Sequence, residues 1–223
     1  MCILAPSLLA ADFRYLLNQI EIIEQTGIQY LHLDLMDGVF VPNLSIGTEV
    51  IQSIRDSTQL VFDVHMMVSE PIRLIPQVKE AGADVIIVHV EACSDAMKTI
   101  NCIREHNARP GIAISPETRI DQIEDRILEA TDVVHLMSVM PGRRGQAFIP
   151  GSIKRIVEMK KRIVKLGLDI DIEVDGKIDL NNIHEVLDAG ANIIVIGSAL
   201  FHGDLEHNIS IFQDAFTRSN SGG

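Results

Sequence analysis

Eight short runs rich in Val, Ile and Leu alternate with eight longer amphipathic stretches, and this alternation limits the fold more than any other feature of the chain. The runs lie at 2–7, 29–35, 60–66, 84–89, 109–114, 132–138, 170–175 and 192–197. The helical patterns lie at 12–25, 45–56, 70–80, 94–106, 119–129, 150–165, 179–189 and 205–216. Strand followed by helix, repeated, predicts parallel strands joined by crossover helices. Eight such units in 223 residues predict one α/β domain, a (β/α)8 TIM barrel over 1–217, near the small end of that fold, with a flexible tail over 218–223. A doubly wound sheet is the alternative, but it gives no reason for eight matched units. Asp12, Ser45 and Ser94 are expected as helix caps, and Gly27, Gly82, Gly167 and Gly190 stand where the chain should leave a helix.

Parity within the runs separates an apolar face from a polar one. Tyr30, His32, Asp34 and Met36 share one face, and Leu31, Leu33 and Leu35 the other. Val61, Asp63, His65 and Met67 alternate with Phe62, Val64 and Met66, and Asp171, Glu173 and Asp175 alternate with Ile170, Ile172 and Val174. A barrel strand needs its apolar face outward under the helices, while its inner face can turn polar near the C-terminal mouth. His32, Asp34, His65 and Asp175 all fall on inner faces near strand ends, so they are expected to converge. Two imidazoles and two carboxylates suit one divalent transition metal such as zinc. Two carboxylates at one site are also a ready acid–base pair. The same parity argument places Asp63 one layer deeper, as support for a ligand rather than a ligand. His89 and His135 read as structure or pocket lining, Glu91 and Glu173 as inner-layer hydrogen-bond partners. Asp37, of opposite parity to Asp34, reads as a turn residue.

Composition narrows the partners. A net charge of −12 argues against a nucleic-acid backbone or an anionic membrane, without excluding a small anion in a locally positive pocket. The chain is 47% apolar with mean hydropathy +0.21, enough for a large core. Cys2, Cys93 and Cys102 have no metal or redox spacing, which points to reduced thiols and a cytoplasmic location. Met1–Ala11 lacks a basic flank and reads as a first buried strand, not a leader or a span.

The segments APSLLAADF, HLDLMDGVFVPN, DVHMMV, AGADVIIVHVEA, MSVMPGRRGQAFI, EVDGKI and AGANIIVIGSALF occur in that order. Together they resemble the ribulose-phosphate 3-epimerase family over nearly the whole chain. The resemblance implies a (β/α)8 barrel that inverts C3 of a phosphorylated ketopentose with one divalent metal ion per subunit, drawn from Zn, Fe(II), Mn or Co. It implies His32, Asp34, His65 and Asp175 as metal ligands, with Asp34 and Asp175 also the acid–base pair. It places Ser7 and His65 at the substrate, Met36, Met67 and Met137 in the pocket lining, and Gly142, Arg143, Arg144, Gly145, Gly176, Lys177, Gly197 and Ser198 in phosphate-binding loops. It further implies a homo-oligomer acting on a small phosphorylated ketose.

Two segments depart from the family pattern. Met140-Pro-Gly-Arg-Arg-Gly-Gln146 stands where the family usually has Asn-Pro-Gly-Phe-Gly-Gly-Gln, and Asp175-Gly176-Lys177 where it usually has Asp-Gly-Gly. A glycine there lets backbone N–H groups approach a phosphate unobstructed; Lys177, Arg143 and Arg144 instead bring charge. A related ketohexose-phosphate epimerase is the first alternative. A catalytically silent sugar-phosphate-binding barrel is an alternative of another class. An orotidine-type decarboxylase wants a DxKxxD pattern, and HLDLMD has no lysine.

Overall fold

The computed structural model describes residues 2–143 and 145–220, with the side chains of 218–220 outside that description. Strands and helices alternate as β1 (Ile3–Pro6), α1 (Leu16–Gln25), β2 (Tyr30–Met36), α2 (Thr48–Arg55), β3 (Val61–Met67), α3 (Ile75–Glu80), β4 (Val85–His89) and α4 (Ala96–Glu105). They continue as β5 (Arg109–Ile114), α5 (Asp125–Glu129), β6 (Val133–Met137), α6 (Gly151–Leu166), β7 (Asp171–Asp175), α7 (Ile183–Asp188), β8 (Ile193–Ile196), α8 (Ser198–Phe201) and α9 (Leu205–Asn220). The sheet runs β1-β8-β7-β6-β5-β4-β3-β2 with every pairing parallel. A parallel bridge between Ser7 and His32 joins the two end strands, so the sheet comes round into a TIM barrel.

Each expected strand forms within one residue of its expected ends. The helices differ more. Short 3-10 turns at Phe13–Tyr15, Pro71–Arg73 and Ile120–Gln122 occupy ground that periodicity assigns to α1, α3 and α5. Asp12 caps the first of these turns by accepting the Arg14 N–H at 3.1 Å. Asp95, not Ser94, caps α4, accepting the Lys98 N–H at 2.9 Å. Ser45 caps no helix; it accepts the Met36 N–H at 2.9 Å and donates to the Asp34 carbonyl at 2.5 Å, tying down the end of β2. The last helix runs to Asn220, past Arg218, where the sequence suggests a tail; residues 221–223 and Arg144 lie outside the described residues.

The outer strand faces bury Leu31, Leu33, Phe62, Val64, Ile86, Val88, Ile172 and Val174 under the helices. α6 shows how a helix meets that face. Ser152, Ile156, Met159 and Ile163 recur at helical spacing and are its buried side. Gly167 then ends it at φ 67°, where its N–H reaches the Ile163 and Val164 carbonyls. The barrel interior has a separate apolar cluster of Ala5, Tyr30, Val85, Ile87, Ala113, Val133, Ile193 and Val195. Toward the N-terminal end Arg109 donates to the Tyr30 hydroxyl at 3.0 Å and to Asp171 at 2.8 Å, and Asn192 holds the other Asp171 oxygen at 2.6 Å. These contacts tie β2, β5, β7 and the start of β8 together at that end, while the cleft opens at the other mouth.

Interior volume is fixed by pairing large residues with small ones. Ile87 is in register with Gly111, and a Cβ added at Gly111 would stand 2.6 Å from Ile87 Cγ1 and 3.3 Å from its Cβ. Replacing a strand glycine by alanine ordinarily gains about 0.5–1 kcal/mol in chain entropy, but overpacking a rigid interior costs about 1–3 kcal/mol. Gly111→Ala is therefore expected to lower stability by about 1 kcal/mol in urea unfolding. A midpoint equal to or above that of the wild type would contradict this account of the interior.

Candidate active site

Strand parity delivers four side chains to the C-terminal mouth. β2 brings His32 and Asp34, β3 brings His65, and β7 ends at Asp175. Register sets Asp34 beside His65 and Asp175 beside Met137. One ligand atom from each of His32, Asp34, His65 and Asp175 lies within 4.8 Å of the others. Asp34 Oδ1 is 3.2 Å from His65 Nδ1 and 3.4 Å from His32 Nε2. His32, Asp34 and His65 are buried, and Asp175 is half-buried at the rim.

Each of the four is held from behind. His32 Nδ1 lies 2.7 Å from Asp63 Oδ2, which turns Nε2 toward the mouth. Ser7 donates its hydroxyl to Asp34 Oδ2 at 2.9 Å. His65 Nε2 lies 2.9 Å from His89 Nε2. Ser138 donates to the Asp175 and Gly176 carbonyls at 2.8 and 2.6 Å, fixing the end of β7. Deeper still, His135 Nδ1 lies 2.6 Å from Glu173 Oε1 and its Nε2 3.1 Å from Met137 Sδ. Thus His135 lines no part of the cleft but backs a methionine that does.

Protonation follows from crowding. Burial would raise Asp34, but the adjacent His32 and His65 outweigh it and hold its carboxyl well below the usual range. Burial and the neighbouring charge of Asp34 push Asp175 up to about 7. Burial would lower His32, yet the charges of Asp34 and Asp63 carry it well above its ordinary value. Burial brings His65 down to about 4. One carboxylate is thus ionised and the other near neutrality, within a site short of positive charge. His32 Nε2 is buried without a hydrogen-bond partner. An orphaned imidazole nitrogen facing two crowded carboxylates and a neutral imidazole is a donor set that fits a divalent cation.

A cleft of about 1050 Å³ opens above these residues. Ser7, Asp34, Met36, Met67, Met137, Gly142, Arg143, Gly145, Asp175, Gly176, Lys177, Gly197 and Ser198 line it. His32 and His65 lie beneath the floor, fully buried. Sequence reasoning passed over Asn43 and Gln146. Asn43 donates its amide to the Gly142 carbonyl. Gln146 donates to the Met140 and Arg143 carbonyls at 2.7 and 2.9 Å and accepts the Met140 N–H at 3.1 Å, so one side chain shapes the loop after β6. Gly142, at φ 68°, leaves no room for a Cβ, which would fall 2.4 Å from Val41 Cβ. Gly176, at φ 124°, would place one 2.6 Å from Val139 Cγ2. Lys177 follows at φ 52°, a non-glycine residue in left-handed backbone. Asp37 accepts the Val39, Phe40 and Ser69 N–H groups at 2.8, 2.9 and 2.9 Å and is a turn residue.

Comparison with known proteins agrees with this geometry. The chain is 42% identical over 198 residues to the ribulose-phosphate 3-epimerase of Bacillus subtilis (strain 168), covering 88% of this chain and 91% of that protein. It is 39% identical over 200 residues to the ribulose-phosphate 3-epimerase of Escherichia coli (strain K12), covering 89% and 88%. Among solved structures, a 3-hexulose-6-phosphate synthase superposes with a TM-score of 0.67 at 16% identity, over 96% of this chain and 99% of that one, which speaks to fold alone. Residues 3–201 match the model of the Ribulose-phosphate 3 epimerase family, and the chain belongs to that family.

Proposed function

We propose that this chain is a metal-dependent sugar-phosphate 3-epimerase interconverting D-ribulose 5-phosphate and D-xylulose 5-phosphate. The observation that carries the reading is that Asp34 and Asp175, which line the cleft, share one cluster with His32 and His65 beneath its floor. The relatives named above are ribulose-phosphate 3-epimerases, which supports the same substrate here. His32, Asp34, His65 and Asp175 would hold the ion, drawn from Zn, Fe(II), Mn or Co. The ion supplies charge that stabilises negative oxygen on the substrate.

The chain's own residues move the proton. Inverting C3 beside a ketone requires removal of a proton from one face and delivery to the other. One direction needs Asp34 and Asp175 in complementary states, one carboxyl ionised and the other protonated, and the reverse direction exchanges them. Because the two carboxyls share one site, their titrations belong to the pair. Ser7 orients Asp34, while Met36, Met67 and Met137 present apolar, polarizable walls that exclude water from a planar intermediate. Gly142 and Gly145 after β6, Gly176 after β7 and Gly197 and Ser198 after β8 line the cleft, and their backbone N–H groups would take the phosphate where barrels commonly bind it.

No helix among the described residues is long and apolar enough to cross a membrane, and no cysteine forms a disulfide. A cytoplasmic location and a homo-oligomer belong to this reading. Phe13, Tyr15 and Leu17, 46, 61 and 47% exposed near the start of α1, are apolar surface of the kind an interface covers.

An assay after metal removal and reconstitution tests the activity. Turnover of ribulose 5-phosphate well above that of allulose 6-phosphate, lost on chelation and restored by a divalent ion, is expected. Preference for the hexulose would favour the related ketohexose-phosphate epimerase, and no turnover of either sugar a silent binding barrel. Asp34→Asn and Asp175→Asn are each expected to abolish epimerisation while still allowing the C3 proton of one epimer to exchange with solvent. Near-wild-type turnover in either variant would end the two-base assignment.

Lys177 separates charge from backbone. Its side chain is exposed and lines the cleft, so its ammonium is proposed to meet the phosphate. A charge-assisted contact of about 1.5–3 kcal/mol predicts that Lys177→Ala raises KM roughly 10- to 150-fold with kcat little changed. Lys177→Gly should raise KM to the same degree yet stabilise the protein by about 1 kcal/mol, because the strained left-handed backbone is relieved. An unchanged KM in Lys177→Gly would assign Lys177 no part in binding.

A further inference from the structure

The chain between β2 and α2 folds back on itself before it reaches the helix. Asp37 and Leu44 pair as an antiparallel bridge, and the Gly38 N–H reaches the Asn43 carbonyl at 3.1 Å. Both ends of this strap are tied to the barrel. Asp37 accepts the Ser69 N–H at 2.9 Å just after β3, and Ser45 donates to the Asp34 carbonyl at 2.5 Å. The strap also crosses the mouth. β2 and β6 stand four strands apart whichever way the barrel is followed, yet Asn43 donates its side-chain amide to the Gly142 carbonyl in the loop after β6. Val41 meets the same glycine, where an added Cβ would stand 2.4 Å from Val41 Cβ.

The strap is one wall of the cleft. Val41 is buried with Met36 and Met67, and Phe40 packs against the same group and over the His89 ring, with centroids 4.9 Å apart. Asn43 and Leu44 line the cleft, as do residues after β1, β6, β7 and β8. Among the described residues none of β4, β5 or the segments after them does. Ser45 and Asn43, two residues apart, therefore hold the Asp34 carbonyl at one end and the Gly142 carbonyl at the other. The first belongs to a residue assigned to the proton at C3, the second to a loop assigned to the phosphate. Gln146 braces that loop by donating to the Met140 and Arg143 carbonyls at 2.7 and 2.9 Å, so its position follows that of Gly142.

We propose that Asn43 is a positioning residue that sets substrate length; this rests on the 3-epimerase reading above. By holding Gly142 it fixes the distance from the reacting carbon to the phosphate loop. That distance selects a ketose whose phosphate lies two carbons beyond C3 over one whose phosphate lies three carbons beyond. One methylene in a fixed pocket is worth about 10- to 200-fold in discrimination, and a shift of about 1 Å in a held group costs about 100-fold in rate. A loop released from the strap can move outward, which accommodates the longer sugar and loosens the hold on the shorter one.

Asn43→Leu keeps the size of the side chain and removes the donor. It is expected to lower kcat/KM for ribulose 5-phosphate about tenfold, mostly through KM, while kcat/KM for allulose 6-phosphate stays level or rises. Asn43 is exposed, so the longer amide of Asn43→Gln can still reach the carbonyl and should recover part of the preference. Hydrogen exchange gives a readout that needs no substrate: the amides of Gly142, Arg143 and Gly145 should exchange faster in Asn43→Leu, with those of β2 unchanged. An equal fall in kcat/KM for both sugars, an unchanged preference, or unaltered exchange in the loop would overturn the proposal. A wild type that turns over neither sugar, or prefers the hexulose, fails earlier, at the 3-epimerase reading itself, and takes the proposal with it, so the two failures are told apart.

Discussion

Asp34 and Asp175 are forced together in a low-dielectric mouth, and most of the site is arranged around that crowding. A carboxylate taken out of water costs several kcal/mol unless a partner charge or hydrogen bonds replace its hydration. Asp34 is compensated by Ser7 and by two imidazoles, while Asp175 lies nearer solvent and answers by holding its proton to about 7. The same deficit draws a proton onto His32 against the effect of burial. A divalent ion relieves all three at once, because it favours both carboxylates ionised and both imidazoles neutral. The crowding of two carboxylates and two imidazoles at the mouth is what suits it to a cation.

The carboxylates behind the histidines carry this logic a layer deeper. Asp63 lies behind His32, and His89, itself backed by Glu91, lies behind His65. Both rings are thus backed by groups on strands or on the turn after β4. Glu173, held well above its ordinary value by burial and by Asp63, backs His135 and through it Met137. Polar pairs from β2, β3, β6 and β7 share the barrel interior with the apolar Ala5, Val85, Ile87, Ala113, Ile193 and Val195 of β1, β4, β5 and β8.

Much of this was legible from the sequence because parity is a local rule. Once 30–36, 61–67 and 171–175 are strands, His32, Asp34, His65 and Asp175 have to face inward, and their places near the strand ends put them at the mouth. What parity cannot show is which inward residues meet. His65 and His89 are 24 residues apart on adjacent strands, and only strand tilt and stagger bring their Nε2 atoms to 2.9 Å. His89 therefore read as mere lining or structure. Helix starts were less legible than strands because Pro71 and the capped turn at Asp12 spend the first residues in 3-10 geometry. The four-residue α8 is too short to leave a period. Gln146 and Asn43 act through loop carbonyls, and nothing in hydrophobic patterning reports such contacts.

Lys177 is where local and global preferences part. Gly176 at φ 124° packs against Ser138 and Val139 with no space for a side chain, so the chain must turn sharply there and continues into left-handed backbone at residue 177. Glycine occupies that conformation without strain, whereas a lysine bears a cost on the order of 1–3 kcal/mol. Asn182 donates to the Lys177 carbonyl at 3.0 Å and helps to hold the turn, but that bond requires only the backbone and does not account for the side chain. The side chain is exposed on the rim of a cleft in a protein of net charge −12, where an anionic substrate meets general repulsion. Under the proposed reading, the ammonium would offset that repulsion at the phosphate. Strain kept at a functional rim, in a chain whose strands otherwise obey their local rules, is the pattern expected when binding rather than folding selects the residue.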